Sequence, residues 1–534
     1  MTSSPANKEP ATLPARADET AQPAGAEHAG GTAGRQPWAA RSVGLLRRHW
    51  LIAALLAAGL VLRVMAQLAY QPPLIYVDTL KYLYGASPGS EPLAYTAVLR
   101  IVVPAGGLST VAVLQHLLGL AMGAVLYLVL LRRGAPRWLA AAAAAPVLLD
   151  AYQLQMEQTI MPDVWFEALI VAGLAALLWR PAASLRLVLA AGLILGVSAT
   201  FKQLGETLAV PAVVYLLVAE DGWRGRLTKA AALCLAFLLP VLAYCSYSYA
   251  RNGHFRLAHG QATTGRLAAS ADCATLRLPA AVRPLCPTPH EQSFGPDWLE
   301  HSGHSPLFAT PLPPGAKRYK LISQLNSAVV SQQPLRVAAS IASDWVRLFA
   351  VTRSPTSWVT PISRWQFQTH YPTYPPWVTL APGNVIVVGV QKVAFTPFVH
   401  HPLKPAYGGA AQVSQPLASF LRGYQLHGGF TPGPLFALFA LAGLAGSVLA
   451  LLRRGATAGS RRMAVACLLF TSTAAILLLV PDLYEFSWRY QLPALITLPP
   501  AGVLGLTALL SHRRGRRAAR PAADGVAAGG APAA

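Results

Sequence analysis

The chain has 534 residues, 54% of them hydrophobic and only 12% charged, and a mean hydropathy of +0.42. A soluble globular domain carries roughly 25% charged residues, so most of this surface does not face water and a soluble protein is excluded. The formal charge of +22 sits largely in short loops between apolar runs, which reads as membrane orientation and not as a nucleic-acid surface.

Residues 1–40 are rich in Ala, Pro, Gly and polar side chains without apolar periodicity, which predicts a disordered cytoplasmic tail. The first apolar run follows Arg47-Arg48 with no clear small-residue cleavage site after it, so it is expected to stay as a signal anchor. A helix needs about 20 apolar residues to cross a bilayer. Spans are predicted near 50–70, 108–131, 138–150, 163–179, 187–202, 205–219, 228–250, 434–452, 463–481 and 491–511. The expectation is an all-α polytopic membrane protein of about ten transmembrane helices. A module of about seven spans (45–250) and one of about three (434–511) flank a mixed region, 251–433, and a basic tail follows from 512. Inside 251–433, the apolar stretches 337–351 and 383–399 are read as re-entrant or interfacial helices, or as an extra hairpin of spans.

Loop charge sets the orientation. One alternate set of loops, which includes Arg132, Arg133, Arg180, Arg224, Arg453 and Arg513, together with the flanks, holds 20 basic residues; the other short loops hold four, Lys81, Arg100, Lys202 and Arg489. The positive-inside rule places the first set in the cytoplasm. The region 251–433 is then extracytoplasmic. It carries 15 Lys+Arg against 5 Asp+Glu, an excess that suits phospholipid headgroups, a lipid-linked phosphate or an acidic wall polymer. Of the five cysteines, Cys234, Cys245 and Cys467 lie in apolar runs as small hydrophobes, whereas Cys273 and Cys286 lie in this polar region and are expected to pair in an oxidising compartment.

The outside loops hold the residues capable of chemistry. In PPLIYVDTLKYLYGASPGSEPLAY, Asp78 sits among Tyr76, Leu80, Tyr82 and Tyr84. Held against an apolar surface, its proton affinity is expected to rise, which suits a general base; the alternative is a helix-capping aspartate. The second loop supplies Glu157 and Asp163, the latter opening a span where an acid is intrinsically comfortable, with Glu167 one turn deeper in the bilayer. The short turn FKQLGETL offers Lys202 and Glu206, spaced to pair with each other. Arg489, between aromatics in DLYEFSWRYQLP, either snorkels or binds a phosphate at headgroup depth. Nine of the thirteen histidines fall in 251–433, among them His301, His304, His400 and His401, without carboxylates at zinc spacing.

One span leading to an outside loop with an early acid (Tyr76-Val-Asp78), an acidic second loop and a seventh span feeding a large outside region together resemble the GT-C glycosyltransferases. The likeness is to their polyprenyl-phosphate-sugar-dependent branch, which includes protein mannosyltransferases and aminoarabinose transferases. Gly265-Arg-Leu-Ala-Ala-Ser-Ala-Asp-Cys273, Leu285-Cys286-Pro287 and Trp488-Arg-Tyr490-Gln-Leu-Pro493 look like actinobacterial members of that superfamily. Many members carry two adjacent acids in the first loop, where Thr79 follows Asp78 here. The resemblance implies inverting transfer of a sugar from a polyprenyl-phosphate donor to an extracytoplasmic glycan, lipid or protein acceptor, at the cell membrane. Asp78 would be the base, with Glu157 or Asp163 as second acid, and Lys202 and Arg489 the charge for the leaving phosphate. Lys81, Tyr82 and Glu206 would be substrate neighbours. Neither metal nor nucleotide is required by that scheme. The competing classes are a transporter or flippase of lipid-linked or cell-wall precursors, which should show midplane charges and an internal repeat, and a non-catalytic assembly protein.

Overall fold

The computed structural model describes residues 44, 47–85, 88, 92–220, 222–258, 263–353, 362–371, 378–381, 385–388, 401–402, 411–452 and 458–527. The architecture is helical with very little sheet. Helix α1 (Trp50–Ala69) is followed by the two-residue strand β1 (Tyr70–Gln71), the single turn α2 (Val77–Leu80) and a π turn over Lys81–Gly85. Then come α3 (Ala94–Arg132), α4 (Arg137–Leu149), α5 (Ala151–Gln158), α6 (Asp163–Leu178), α7 (Leu185–Ala199), α8 (Ala209–Ala219) and α9 (Trp223–Asn252). The polar region contains α10 (Thr264–Ser270), α11 (Pro289–Ser293), α12 (Pro296–His301), α13 (Pro306–Ala309), α14 (Arg318–Gln332) and α15 (Pro334–Arg347). Short strands β2 (Val378–Ala381), β3 (Val385–Val388) and β4 (His401–Pro402) form one antiparallel sheet, and β5 (Gln412–Val413) pairs with β1. The chain closes with α16 (Gln415–Leu426), α17 (Gly433–Leu452), α18 (Ala458–Leu479) and α19 (Pro493–Ala527).

Six segments, namely α1, α3, α9, α17, α18 with its exit turn, and the start of α19 with its lead-in, are long and apolar enough to cross a membrane. The shorter helices α4, α6, α7 and α8 occupy the other four expected positions. Three adjustments to the sequence reading have local causes. Helix α3 begins at Ala94 and not near 108, because an added segment precedes a break at Gly106 and Gly107; Gly107 takes φ +73°, which favours a residue without Cβ. Of the readings open for 337–351, the extra hairpin of spans drops out: α15 has 14 residues, only about 21 Å of helix, and carries Arg336, Asp344 and Arg347. The tail from 512 starts as helix, since α19 runs on to Ala527 through an Ala- and Arg-rich run of high helix propensity. Most of 383–399, with His400, lies outside the described residues, as do residues 1–43.

Two cores form. The large one joins the spans through residues such as Leu108, Met122, Leu148, Phe166, Leu195 and Phe470. A second, smaller one (Leu267, Leu285, Leu299, Leu307, Leu325, Val329) organises the polar region. There Cys273 and Cys286 are joined by a disulfide. We refer to the end of the helix bundle adjoining this region as the cap side.

Candidate active site

The cap-side loops are stitched together by backbone. Leu74 donates to Gln158 O and Ile160 donates back to Leu74 O, each at 3.0 Å, while Thr79 Oγ1 donates to Ile160 O at 2.8 Å. The same hydroxyl accepts from Tyr76 N at 3.0 Å and closes α2. Thr79 thus caps the turn, so Asp78 is not the capping residue and its carboxylate is released toward the bundle. Ile160 lies three residues before Asp163, so this bridge draws Asp78 and Asp163 to one place. The turn Trp488–Gln491 brings Arg489 there, and Ala94 N donating to Thr200 O at 3.0 Å fixes the loop that carries Lys202.

The result is a chain of alternating charges. Lys81 Nζ lies 3.6 Å from Asp78 Oδ1, and Arg489 Nη1 lies 3.4 Å from Asp78 Oδ2. Arg489 Nε lies 3.1 Å from Asp163 Oδ1, the same oxygen that Lys202 Nζ approaches to 2.8 Å. Three cations face two carboxylates, leaving one positive charge in excess. The contacts are not saturated. Arg489 Nε is near Asp163 yet unaligned for a hydrogen bond, and buried Asp163 Oδ2 has no partner among the described residues. A small cavity opens beside them, lined by Asp163, Glu167, Lys202, Arg489 and Tyr490 on its polar side and by Phe166, Leu204, Leu477 and Pro493 on its apolar side.

Asp78 does not gain proton affinity as the sequence implied. Burial pushes its carboxyl upward, but Lys81 and Arg489 outweigh that and hold it below its ordinary value. Lys202 does not pair with Glu206: its ion-pair partner is Asp163, because Glu206 lies in the 3₁₀ turn Gln203–Leu208 with its side chain exposed. Tyr82 is buried, edge-on to Tyr95 at 5.4 Å, with Lys81 Nζ 5.5 Å from its ring centre.

Glu157 belongs elsewhere. Its side chain is 0% exposed, gripped by Arg63 Nη2 at 2.7 Å on one oxygen and by His116 Nδ1 at 3.0 Å on the other. Arg63 also donates to Leu148 O at 2.7 Å and to Gly59 O at 3.1 Å. A Cβ on Gly119 would stand 2.0 Å from Glu157 Oε1, so the packing here admits only glycine. Glu157 therefore does not line the cavity. Glu167 does, with Gln153 Nε2 donating to it at 2.9 Å.

Four neighbours were missed. Trp365 lies tilted against Tyr76, ring centres 5.1 Å apart, and under the Arg489 guanidinium at 5.6 Å. Arg364 Nη1 donates to the Tyr76 hydroxyl at 2.7 Å. Glu485 accepts from Tyr490 at 2.6 Å and lies close enough to Asp297 to feel its charge. Burial first, then the Asp78 charge, pushes Asp297 up; burial first, then Asp297, pushes Glu485 up. A signal existed for Glu485, four residues before Arg489 in the same loop. Asp297, Arg364 and Trp365 carry none, since they arrive from the polar region by folding alone.

No family model matches the chain and no curated protein matches it. Solved structures do. The protein O-mannosyltransferase Pmt1-Pmt2 of S. cerevisiae, bound to the sugar donor, aligns at 16% identity and a TM-score of 0.31 over 41% of this chain and 36% of that one. The apo oligosaccharyltransferase of Archaeoglobus fulgidus aligns at 12% and 0.40, over 88% and 52%. Apo ArnT from Cupriavidus metallidurans aligns at 16% and 0.32, over 85% and 77%. The chain thus spans about a third to a half of the first two. These are the kind of protein that the sequence resembles; likenesses this distant assign it neither substrate nor reaction.

Proposed function

We propose that this is an integral membrane glycosyltransferase that moves a sugar from a polyprenyl-phosphate donor to an extracytoplasmic acceptor with inversion. The observation that carries the reading is the chain Lys81–Asp78–Arg489–Asp163–Lys202, with its excess positive charge beside an apolar-walled cavity.

The acceptor hydroxyl oxygen attacks the anomeric carbon, the bond from that carbon to the phosphate oxygen breaks, and the lipid phosphate leaves with the electron pair. The hydroxyl proton passes to Asp78. An anionic leaving group needs fixed positive charge in the transition state and no proton donor, a role for Arg489 and Lys202. Arg489 is the hinge of the scheme. Its 3.4 Å contact to Asp78 is long for a charge-assisted bond, so a donor phosphate competes well for the guanidinium. Once Arg489 turns to the phosphate, Asp78 loses a neighbouring cation and its proton affinity rises. The base thus strengthens as the donor arrives. Asp163 holds Arg489 and Lys202 in place and is the second acid of the site; the saturation of Glu157 by Arg63 and His116 supports that choice. The polyprenyl tail lies along the apolar wall, Phe166, Leu477 and Pro493.

The test is transfer of radiolabelled sugar from polyprenyl-phosphate sugars in membranes containing wild type or Asp78→Asn at equal protein level. Collapse with the variant supports the reading. Undiminished transfer removes Asp78 as base, and no transfer by wild type from any donor moves the protein to the transporter class.

A further inference from the structure

Helix α15 carries apolar side chains outward as well as inward. Beside Pro334, Arg336 and Ser343, its exposed positions are Leu335, Ala338, Ala339, Ala342 and Val346, and these five, spaced three, one, three and four apart, form one apolar stripe along the helix. Leu335 is 84% exposed and Val346 59%. The inward side is mixed: Val337 and Trp345 pack against the two cores, and between them Arg266 Nη1 meets Asp344 Oδ2 at 2.6 Å and donates to Ser340 Oγ at 3.2 Å. A helix on a water-facing surface presents its charges outward and its apolar stripe to the core.

Position gives the reason. The helix packs on α18 and on the turn Pro481–Leu483 at the end of that span, where Leu479 and Leu483 are themselves exposed. The apolar belt of the spans therefore continues onto α15. Beside the stripe stand Arg336, 57% exposed, and Arg347. An outward apolar face edged by guanidinium groups is complementary to the boundary between acyl chains and anionic headgroups.

We infer that α15 is an in-plane membrane anchor, its outward stripe sunk in the cap-side leaflet and its two arginines set against anionic lipid headgroups. The inference does not depend on glycosyl transfer.

The test uses the whole protein in vesicles of phosphatidylcholine, with or without phosphatidylglycerol, on a Cys234→Ala background. A nitroxide at Ala339→Cys is compared with one at Ser331→Cys, an exposed position on α14. The expected result is a reversal of preference: position 339 collides with oxygen over a water-soluble nickel chelate, and position 331 with nickel over oxygen. Immersion at 339 should deepen with phosphatidylglycerol, and Arg336→Gln combined with Arg347→Gln should abolish that increment. Nickel access at 339 equal to that at 331 would overturn the proposal. Shielding from both reagents would also overturn it, showing a protein partner or second copy on the stripe. A depth at 339 that ignores phosphatidylglycerol would overturn the headgroup contacts.

Discussion

Two carboxylate clusters lie in this bundle, Glu157 of one close in sequence to Asp163 of the other, and they differ in kind. Around Glu157 every carboxylate oxygen is taken at 2.7–3.0 Å and the side chain is wholly buried. Around Asp78 and Asp163 three of the four ion-pair distances are 3.1–3.6 Å, one carboxylate oxygen is unpartnered, and Asp78 remains 30% exposed. A closed ion pair in a low-dielectric interior repays its desolvation only through such full engagement. An open one stores unsatisfied charge for something else to meet. The contrast separates a saturated ion pair from an open one more surely than the identity of the residues, since both clusters are an Asp or Glu beside an Arg.

The largest expected effect belongs to the open cluster. Asp78→Asn should lower sugar transfer by ~10²–10⁴-fold, the usual span for a lost general base, with the amount of folded protein unchanged. Arg489→Gln should cost about 10²–10³-fold and raise KM for the donor, measured with a short-chain polyprenyl-phosphate sugar; an unchanged KM would detach Arg489 from the phosphate. In the closed cluster the pattern should invert. Glu157→Ala leaves Arg63 buried and uncompensated, so stability should fall by roughly 3–5 kcal/mol, read as a loss of folded protein in detergent, while turnover per folded molecule stays near wild type. If Glu157→Ala instead folds normally and is inactive, the division between the clusters is wrong.

The smallest effect concerns Asp297 and Glu485. Folding raises both, so the folded state binds protons at these two carboxyls more tightly than the unfolded chain does. Their contribution is full at acid pH and is lost as pH rises through about 6 and about 7. Thermal stability should therefore decline across that window, and Asp297→Asn should flatten the decline; an identical slope in the variant would show that these carboxyls do not set it.

Hydropathy and loop charge made the bundle legible, because a span must be apolar along its whole length and its flanks must obey one rule. Asp78, Asp163, Lys202 and Arg489 were legible too, as ionisable groups at one interface. Their state was not, since the proton affinity of Asp78 is decided by Lys81 and by Arg489, far off in the chain. Glu157 looked equivalent to Asp163 in the sequence. The clue that separates them was Arg63, a lone cation deep in the first span, which needs a buried partner. Asp297, Arg364 and Trp365 were invisible because no periodicity marks where a loop returns.

The contact between Asp78 and Arg489 spans 411 residues of chain. At about 5–20 residues per second of synthesis, roughly 20–80 s separate the emergence of the two. Until the final helix is inserted, the growing polypeptide presents its carboxylates without the cation that completes the site. Under the proposed function, a ribosome-bound or truncated molecule would be inert toward donor lipid, and competence would arrive with the last span.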